Sequence, residues 1–350
     1  MYLFFKISHA SQGRTEGIMK EKQKILIIGG VAGGATAAAR LRRLDEHAEI
    51  IMFEKGAFIS FANCGLPYYI GGEIKEKSAL TLQTPQSFKA RFNVDVRILS
   101  EVIELHPDKK SIRVRDIQKN ETYNETYDKL ILSMGADAIK PNIEGILSDK
   151  VFTLRNIPDT YKIKDYIEQK KPKSAVVVGG GFIGVEMTEN LHSAGLAVTL
   201  VEMADQVLAP IDYDMASDVH RHMESKGVRL SLGNAVRSIM DFGHHLKVSL
   251  NSGEIETDML IMAIGVKPDT KLAKDAGIVL NDRGSIIVDD FMRTNFPDIY
   301  AVGDAVEVTD FVTGTKGFVP LAGPANKQGR IAADHISGLE STYKKTSGSS

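Results

Sequence analysis

The sequence has one cysteine, Cys64, in 350 residues. A single thiol closes no internal disulfide, so nothing points to an oxidising compartment, and a cytoplasmic protein is the default expectation. Excess charge is also absent. The net charge is -2, which gives no global attraction to nucleic acid or to an anionic membrane surface. Long apolar runs are missing as well. Met1 to Phe5 is apolar, but Lys6, His9 and Arg14 follow at once. That is too short to span a membrane and has no signal-peptide layout. Residues 1–21 show no packing period and are expected to be a disordered extension. Met19, followed by Lys-Glu-Lys-Gln-Lys and a strand, stands where a natural start is expected.

The lone cysteine sits in Ser60-Phe61-Ala62-Asn63-Cys64-Gly65-Leu66-Pro67-Tyr68-Tyr69-Ile70-Gly71-Gly72. This reads as a loop feeding a short helix. Pro67 suits the first helical turn, where its missing N–H costs little, and Gly71 and Gly72 end the helix. Cys64 would then lie at a helix N-terminus, where free N–H groups favour a thiolate. Taken alone, a single cysteine is more often a small buried apolar residue. The flanking sequence separates the two readings.

Lys24 to Ile28 is a short apolar run, as expected of a parallel strand buried on both faces. It enters Gly29-Gly30-Val31-Ala32-Gly33-Gly34, then a helical stretch from Ala35 to Leu44, then a strand from Glu49 to Phe53 closed by Glu54. Glu54 lies 25 residues past Gly29. This is the layout of a dinucleotide site. Glycines admit the pyrophosphate, the helix N-terminus holds its charge, and the acid takes the ribose hydroxyls. The second glycine of the usual pattern is here Val31. Val94 to Ile98, Val102 to Leu105 and Ser111 to Asp116 read as a β-meander. Tyr127 to Ala136 closes this half with a buried strand and a glycine turn.

The pattern then repeats. Ala175 to Val178 is a strand, Gly179-Gly180-Gly181-Phe182-Ile183-Gly184 a complete glycine loop, Val185 to Ala194 a helix, Val198 to Val201 a strand, and Glu202 its terminal acid. A second meander is expected over roughly Arg229 to Leu250, and Thr257 to Val266 mirrors Tyr127 to Ala136. Glu202 accepts from ribose hydroxyls and repels a 2′-phosphate, and Met203, Ala204 and Asp205 supply no arginine. NADH is therefore expected over NADPH. Asn295 to Asp304 is a short strand ending in Gly303-Asp304. Leu321 to Arg330 begins a helix that runs to about Ile336, and Ser341 to Ser350 reads as a linker-like tail.

The fold class is α/β, with two Rossmann-like dinucleotide-binding domains, each carrying a meander. The expected division is 22–150 with 268–340 for a discontinuous first domain, 151–267 for the second, and 341–350 for the tail.

Together these residues resemble the flavin-dependent pyridine nucleotide–disulfide oxidoreductases. The resemblance implies an FAD site at Gly29, Val31, Ala32, Gly33, Gly34 and Glu54, joined by Lys55, Val102, Ser133, Gly135, Gly303, Asp304 and Ala322. It implies an NADH site at Gly179, Gly181, Phe182, Ile183, Gly184, Glu186, Glu202 and Gly265. Within it, Phe182 matches the aromatic residue that covers the flavin until nicotinamide displaces it. Two-cysteine members carry Cys-x4-Cys, but here Tyr69 stands five positions past Cys64. The cysteine stretch is similar to the single-cysteine subgroup: coenzyme A-disulfide reductases, persulfide reductases, and NADH oxidases and peroxidases. The peroxidases, and oxidases like them, place a histidine in the first glycine loop, and the nearest one here is His47, beyond the helix. The resemblance therefore implies reduction of coenzyme A disulfide, coenzyme A persulfide or polysulfide through Cys64, with Thr36, Arg40, Arg43, Ser60, Asn63 and Asn326 at coenzyme A-contacting positions. Arg40 and Arg43, three apart on one helix, are expected to face one anion. Oxygen or peroxide reduction, or a nucleotide-binding flavoprotein with little turnover, are the alternatives. Relatives carry a further C-terminal domain that forms a homodimer interface. The 350 residues stop before it, so a homodimer is expected only of a full-length member.

Overall fold

A computed structural model describes residues 22–348. The expectations for residues 1–21 lie outside them. Two five-stranded sheets organise the chain, and every pairing within them is parallel. The first runs Ile299–Ala301, Lys129–Leu132, Lys24–Ile28, Glu49–Phe53, Asp95–Arg97. The second runs Arg229–Ser231, Ala197–Val201, Ser174–Val178, Met259–Met262, Val151–Phe152. In each, the central strand is the one that precedes a glycine loop. The strand order reverses there, which opens a crevice at the carboxyl ends. The central strands are apolar because helices cover both faces, and Leu26, Ile27 and Val177 are fully buried.

Helix Ala32–Leu44 packs along helix Ala322–Ile336 at backbone distance. A Cβ on Gly329 would lie 2.5 Å from the Gly33 carbonyl oxygen. The run of small residues from Ala35 to Ala39 permits this approach. It ties residues near the end of the chain to the first glycine loop.

Two antiparallel meanders flank the sheets: Ser100–His106 with Ser111–Asp116 and Glu121–Thr126, and Val236–Asp241 with Leu246–Leu250 and Gly253–Thr257. Both differ from the sequence expectation. Asp95–Arg97 is not a meander strand; it pairs parallel with Ile51–Phe53 as a sheet edge. Leu99, at φ +51, turns the chain out of that sheet before the meander begins. Arg229–Ser231 is likewise a parallel edge strand. Short alternating segments look alike whichever neighbour they pair with, so local pattern did not separate these cases. Glu121–Thr126 is polar on both faces apart from Tyr123 and escaped notice for that reason.

An antiparallel ribbon, Ala136–Ala138 against Val266–Pro268, carries both crossings between the halves side by side. The cysteine segment makes the other large connection. Helix Leu66–Gly71 follows the second strand of the first sheet, yet Leu66, Tyr69 and Ile70 share an apolar cluster with Ile157, Ile163, Val177, Met187 and Leu191 of the second half. Burial of side chains of this kind stabilises by about 1.5–3 kcal/mol each. Of the linker-like tail expected over 341–350, residues 341–348 are described, and they lie against the body. Thr346 is buried, donates its N–H to Thr309 at 2.7 Å, and accepts from the Phe311 N–H at 2.7 Å. Among the described residues, no helix is long and apolar enough to cross a membrane.

Candidate active site

A continuous cleft of about 1910 Å³ runs from the first glycine loop to the second. Sites for drug-sized ligands reach about 1,000 Å³, so this cleft has room for more than one such molecule. Asn63 and Cys64 line it, together with Asp304, Phe182 and Glu186. Of the residues assigned by resemblance to the two cofactors, all but Gly34 and Gly184 are on its wall. Those two pack beneath their loops.

The loops are built alike. Gly29, at φ +100, donates its N–H to Phe53 at 2.8 Å; Gly179, at φ +108, donates to Val201 at 2.8 Å. A Cβ on Gly29 would lie 2.0 Å from the Ser133 carbonyl oxygen, and one on Gly179 2.4 Å from that of Ala263. A Cβ on Gly34 or Gly184 would meet the carbonyl oxygen of the loop's own first glycine, at 2.0 and 1.8 Å. Each helix can therefore begin tight against its strand only with glycine there. Neither helix has a side-chain cap at its start, so its first-turn N–H groups remain available to an anion. The two acids also match. Glu54 accepts from the Gly30 and Gly56 N–H groups at 2.9 and 2.7 Å. Glu202 accepts from those of Gly180 and Ala204 at 2.5 and 2.8 Å.

Gly181 differs in kind. Its backbone is ordinary extended chain, and a Cβ there would meet no protein atom within 4 Å. Nothing in the fold demands glycine at that position; its open side faces the cleft. The corresponding residue of the first loop, Val31, likewise has negative φ, so the protein accommodates the departure from pattern.

Cys64 is exposed, in a single 3-10 turn, Asn63–Gly65, immediately ahead of helix Leu66–Gly71. Gly72 closes that helix at φ +88, as its sequence implied. Lys164 donates from Nζ to the Ile70 carbonyl at 3.1 Å and so satisfies one of its last acceptors. Phe182 begins the helix behind the second loop and is half exposed into the cleft; Glu186 follows one turn later. Burial raises the Glu186 carboxyl above the ordinary range, and Glu189 adds to the effect. Burial also raises Tyr68, which feels the charges of Glu186, Glu189 and Cys64.

Of the six residues assigned to coenzyme A, only Asn63 faces this cleft. Thr36 donates from Oγ1 to Oδ1 of Asn326 at 2.8 Å, which joins two of the six across the helix pair. Ser60, at φ +47, donates its N–H to Gly30 at 2.9 Å and lies under the first loop. Arg40 and Arg43 do not point the same way. Arg40 donates from Nε to Asp334 at 2.7 Å, whereas Arg43 lies over the Phe92 ring at 5.8 Å. Spacing placed both on one helix face; their separate partners, an acid on the helix packed alongside and an aromatic ring, drew them apart.

The match to known proteins follows this geometry. The family model for pyridine nucleotide-disulphide oxidoreductase matches residues 23–329. The chain belongs to this family. It is similar to coenzyme A disulfide reductase of Staphylococcus haemolyticus, 38% identical over 317 residues, with 90% of this chain and 70% of that one covered. Its fold is similar to the crystal structure of reduced Bacillus anthracis CoADR-RHD, with 55% identity, a TM-score of 0.91, and 93% of this chain and 58% of that one covered. It is also similar to a NAD-dependent persulfide reductase from A. fulgidus, with 36% identity, a TM-score of 0.89, and 92% and 60% covered. The chain thus spans less than two thirds of those two solved chains.

FAD and NAD(P)H are the cofactors of this oxidoreductase family, and the residues present fit two dinucleotides. Two uncapped helix starts, two clamped acids and the gap beside Gly181 are the parts such ligands need. The structure adds a residue that sequence reading missed. Arg155 donates from a guanidinium nitrogen to Oδ2 of Asp304 at 2.8 Å and from Nε to the Ala136 carbonyl at 2.7 Å. It joins the start of the second half to the Gly303-Asp304 turn. No local signal marks it, because its partner lies 149 residues away.

Proposed function

We propose that this chain is the catalytic body of an FAD-dependent reductase that uses NADH to reduce coenzyme A disulfide, coenzyme A persulfide or polysulfide through Cys64. One observation carries the reading: an exposed thiol shares a single cleft with two dinucleotide loops. Bound FAD would relay two electrons from NADH towards sulfur. The first loop, with Glu54 and Asp304, would hold FAD. The second, with Glu202, would hold NADH and discourage NADPH.

In the proposed step the Cys64 thiolate attacks one sulfur of the substrate S–S bond. That bond breaks, Cys64 is left as a mixed disulfide with coenzyme A disulfide or as a mixed disulfide or persulfide with the sulfane substrates, and a thiolate or sulfide leaves and takes up a proton. Two electrons from NADH, with one proton from the hydride itself and one from water, then cleave that S–S bond, which regenerates the Cys64 thiol and frees a second thiol or sulfide. The second sulfur must come from substrate, since the chain has one cysteine. Thr36, Arg40, Arg43, Ser60, Asn63 and Asn326 are the proposed coenzyme A contacts. Arg43 is exposed and Arg40 would exchange or share Asp334 to reach a phosphate.

The test is NADH oxidation without oxygen, supplied in turn with coenzyme A disulfide, coenzyme A persulfide and polysulfide. Cys64→Ser is expected to cut sulfur-dependent turnover at least about 100-fold while NADH still binds. Unchanged turnover in Cys64→Ser would overturn the mechanism. Turnover with oxygen alone would favour the oxidase reading.

A further inference from the structure

The segment after Glu202 is fastened from behind by one side chain outside the cleft. Residues 203–212 cross from the acid to helix Tyr213–Ser225 and place Met203 and Pro210 on the cleft wall. Two consecutive amides hold this segment. Leu208 donates its N–H to the Gly180 carbonyl at 2.7 Å, and Val207 donates its N–H to Nε2 of His220 at 3.1 Å. Val207 is buried, and its Cγ1 would be 3.1 Å from a Cβ on Gly180. Leu208 has φ +51, a conformation a leucine keeps only where its neighbours determine it. On the other side, the Gly180 N–H donates to Glu202. One glycine therefore joins the acid to the segment that covers it. The His220 ring can accept only with Nε2 unprotonated, so its proton is on Nδ1.

We propose that His220 is a positioning residue for the second dinucleotide site. By accepting from Val207 it keeps Leu208 on Gly180 and holds Glu202 and the wall beside it in place for the adenosine ribose of a reduced nicotinamide dinucleotide. His220 acts through this segment and does not touch the nucleotide. The inference rests on the reading of this loop as the NADH site.

The experiment measures NADH affinity by calorimetry, and KM and kcat by turnover, on the flavin-loaded protein. His220→Leu strands a buried N–H. It is expected to weaken NADH binding about fivefold to tenfold, with kcat at saturating NADH within about twofold of the parent. His220→Gln, whose side-chain oxygen can accept the same bond, is expected to restore affinity to within about twofold. Amides 203–209 and 211 of the ligand-free protein should exchange hydrogen faster in His220→Leu and not in His220→Gln. Should His220→Leu fail to fold, His220→Asn takes its place, since its shorter amide falls short of Val207. Parental affinity in the Leu or Asn variant, or a Gln variant as weak as Leu, overturns the inference alone. A parent protein that binds no NADH overturns the assignment of the site, and this inference with it.

Discussion

Gly71 ends the cysteine helix against Asn190 of the helix that follows the second glycine loop: a Cβ on Gly71 would lie 2.3 Å from Asn190 Oδ1. Asn190 is buried, and its Nδ2 donates to the Glu186 carbonyl at 2.8 Å, so it cannot swing aside freely. The thiol-bearing segment is thereby docked on the element that presents Phe182 and Glu186 to the cleft.

Gly71→Ala should destabilise the protein by about 1–3 kcal/mol, the usual cost of overpacking. A thermal melt reads the loss. Cys64 should also alkylate at a changed rate, because its helix must shift. An unchanged melt and an unchanged rate would show that the contact does not position the thiol.

Glu202→Gln removes the charge that repels a 2′-phosphate while keeping an acceptor for the ribose and for one of the two backbone donors. The ratio of kcat/KM for NADPH to that for NADH should rise about tenfold, mainly through KM. If both cofactors change in parallel, Glu202 is not the discriminating group.

Arg155→Leu takes a 2.8 Å donor from Asp304, whose side chain is only 15% exposed. An unpaired, largely buried carboxylate is costly. Flavin retention should fall, measured as the flavin-to-protein absorbance ratio after desalting, and Arg155→Lys should recover part of it. Full retention in Arg155→Leu would sever the pair from the flavin site.

Hydrogen bonds from Lys150 and Ser148, with one from the Gly243 N–H, hold the Asp241 carboxyl at about 2. This lies below the ordinary aspartate value of about 3.9. The folded form binds the proton less readily than the unfolded form. The stabilisation is therefore full above that ordinary value and is lost as pH falls towards 2. Asp241→Asn should melt lower than the parent at pH 7, with the gap closing between about pH 4 and pH 2. A gap that persists at pH 2 would assign the contribution to packing of the second meander.

Both glycine loops were legible because their chemistry is local. Gly29 and Gly179 must take positive φ beside the next strand, and Glu54 and Glu202 close strands that pair directly with the strands before those glycines. Such constraints fit inside one strand–turn–helix–strand unit, so residue order carries them. Asp95–Arg97 and Arg229–Ser231 were misread because three alternating residues do not record which strand they will meet. The divergence of Arg40 from Arg43, and the Arg155–Asp304 pair, depend on partners far away in sequence.

The sequence by itself determined two dinucleotide units, their acids and a single thiol between them, since backbone conformation and short-range geometry admit few residues at those points. Only the tertiary structure decided where that thiol stands. Its helix is buried in the apolar cluster of the second half rather than the first. A burial partner is chosen by shape and free apolar surface across the whole fold, which residue order does not display.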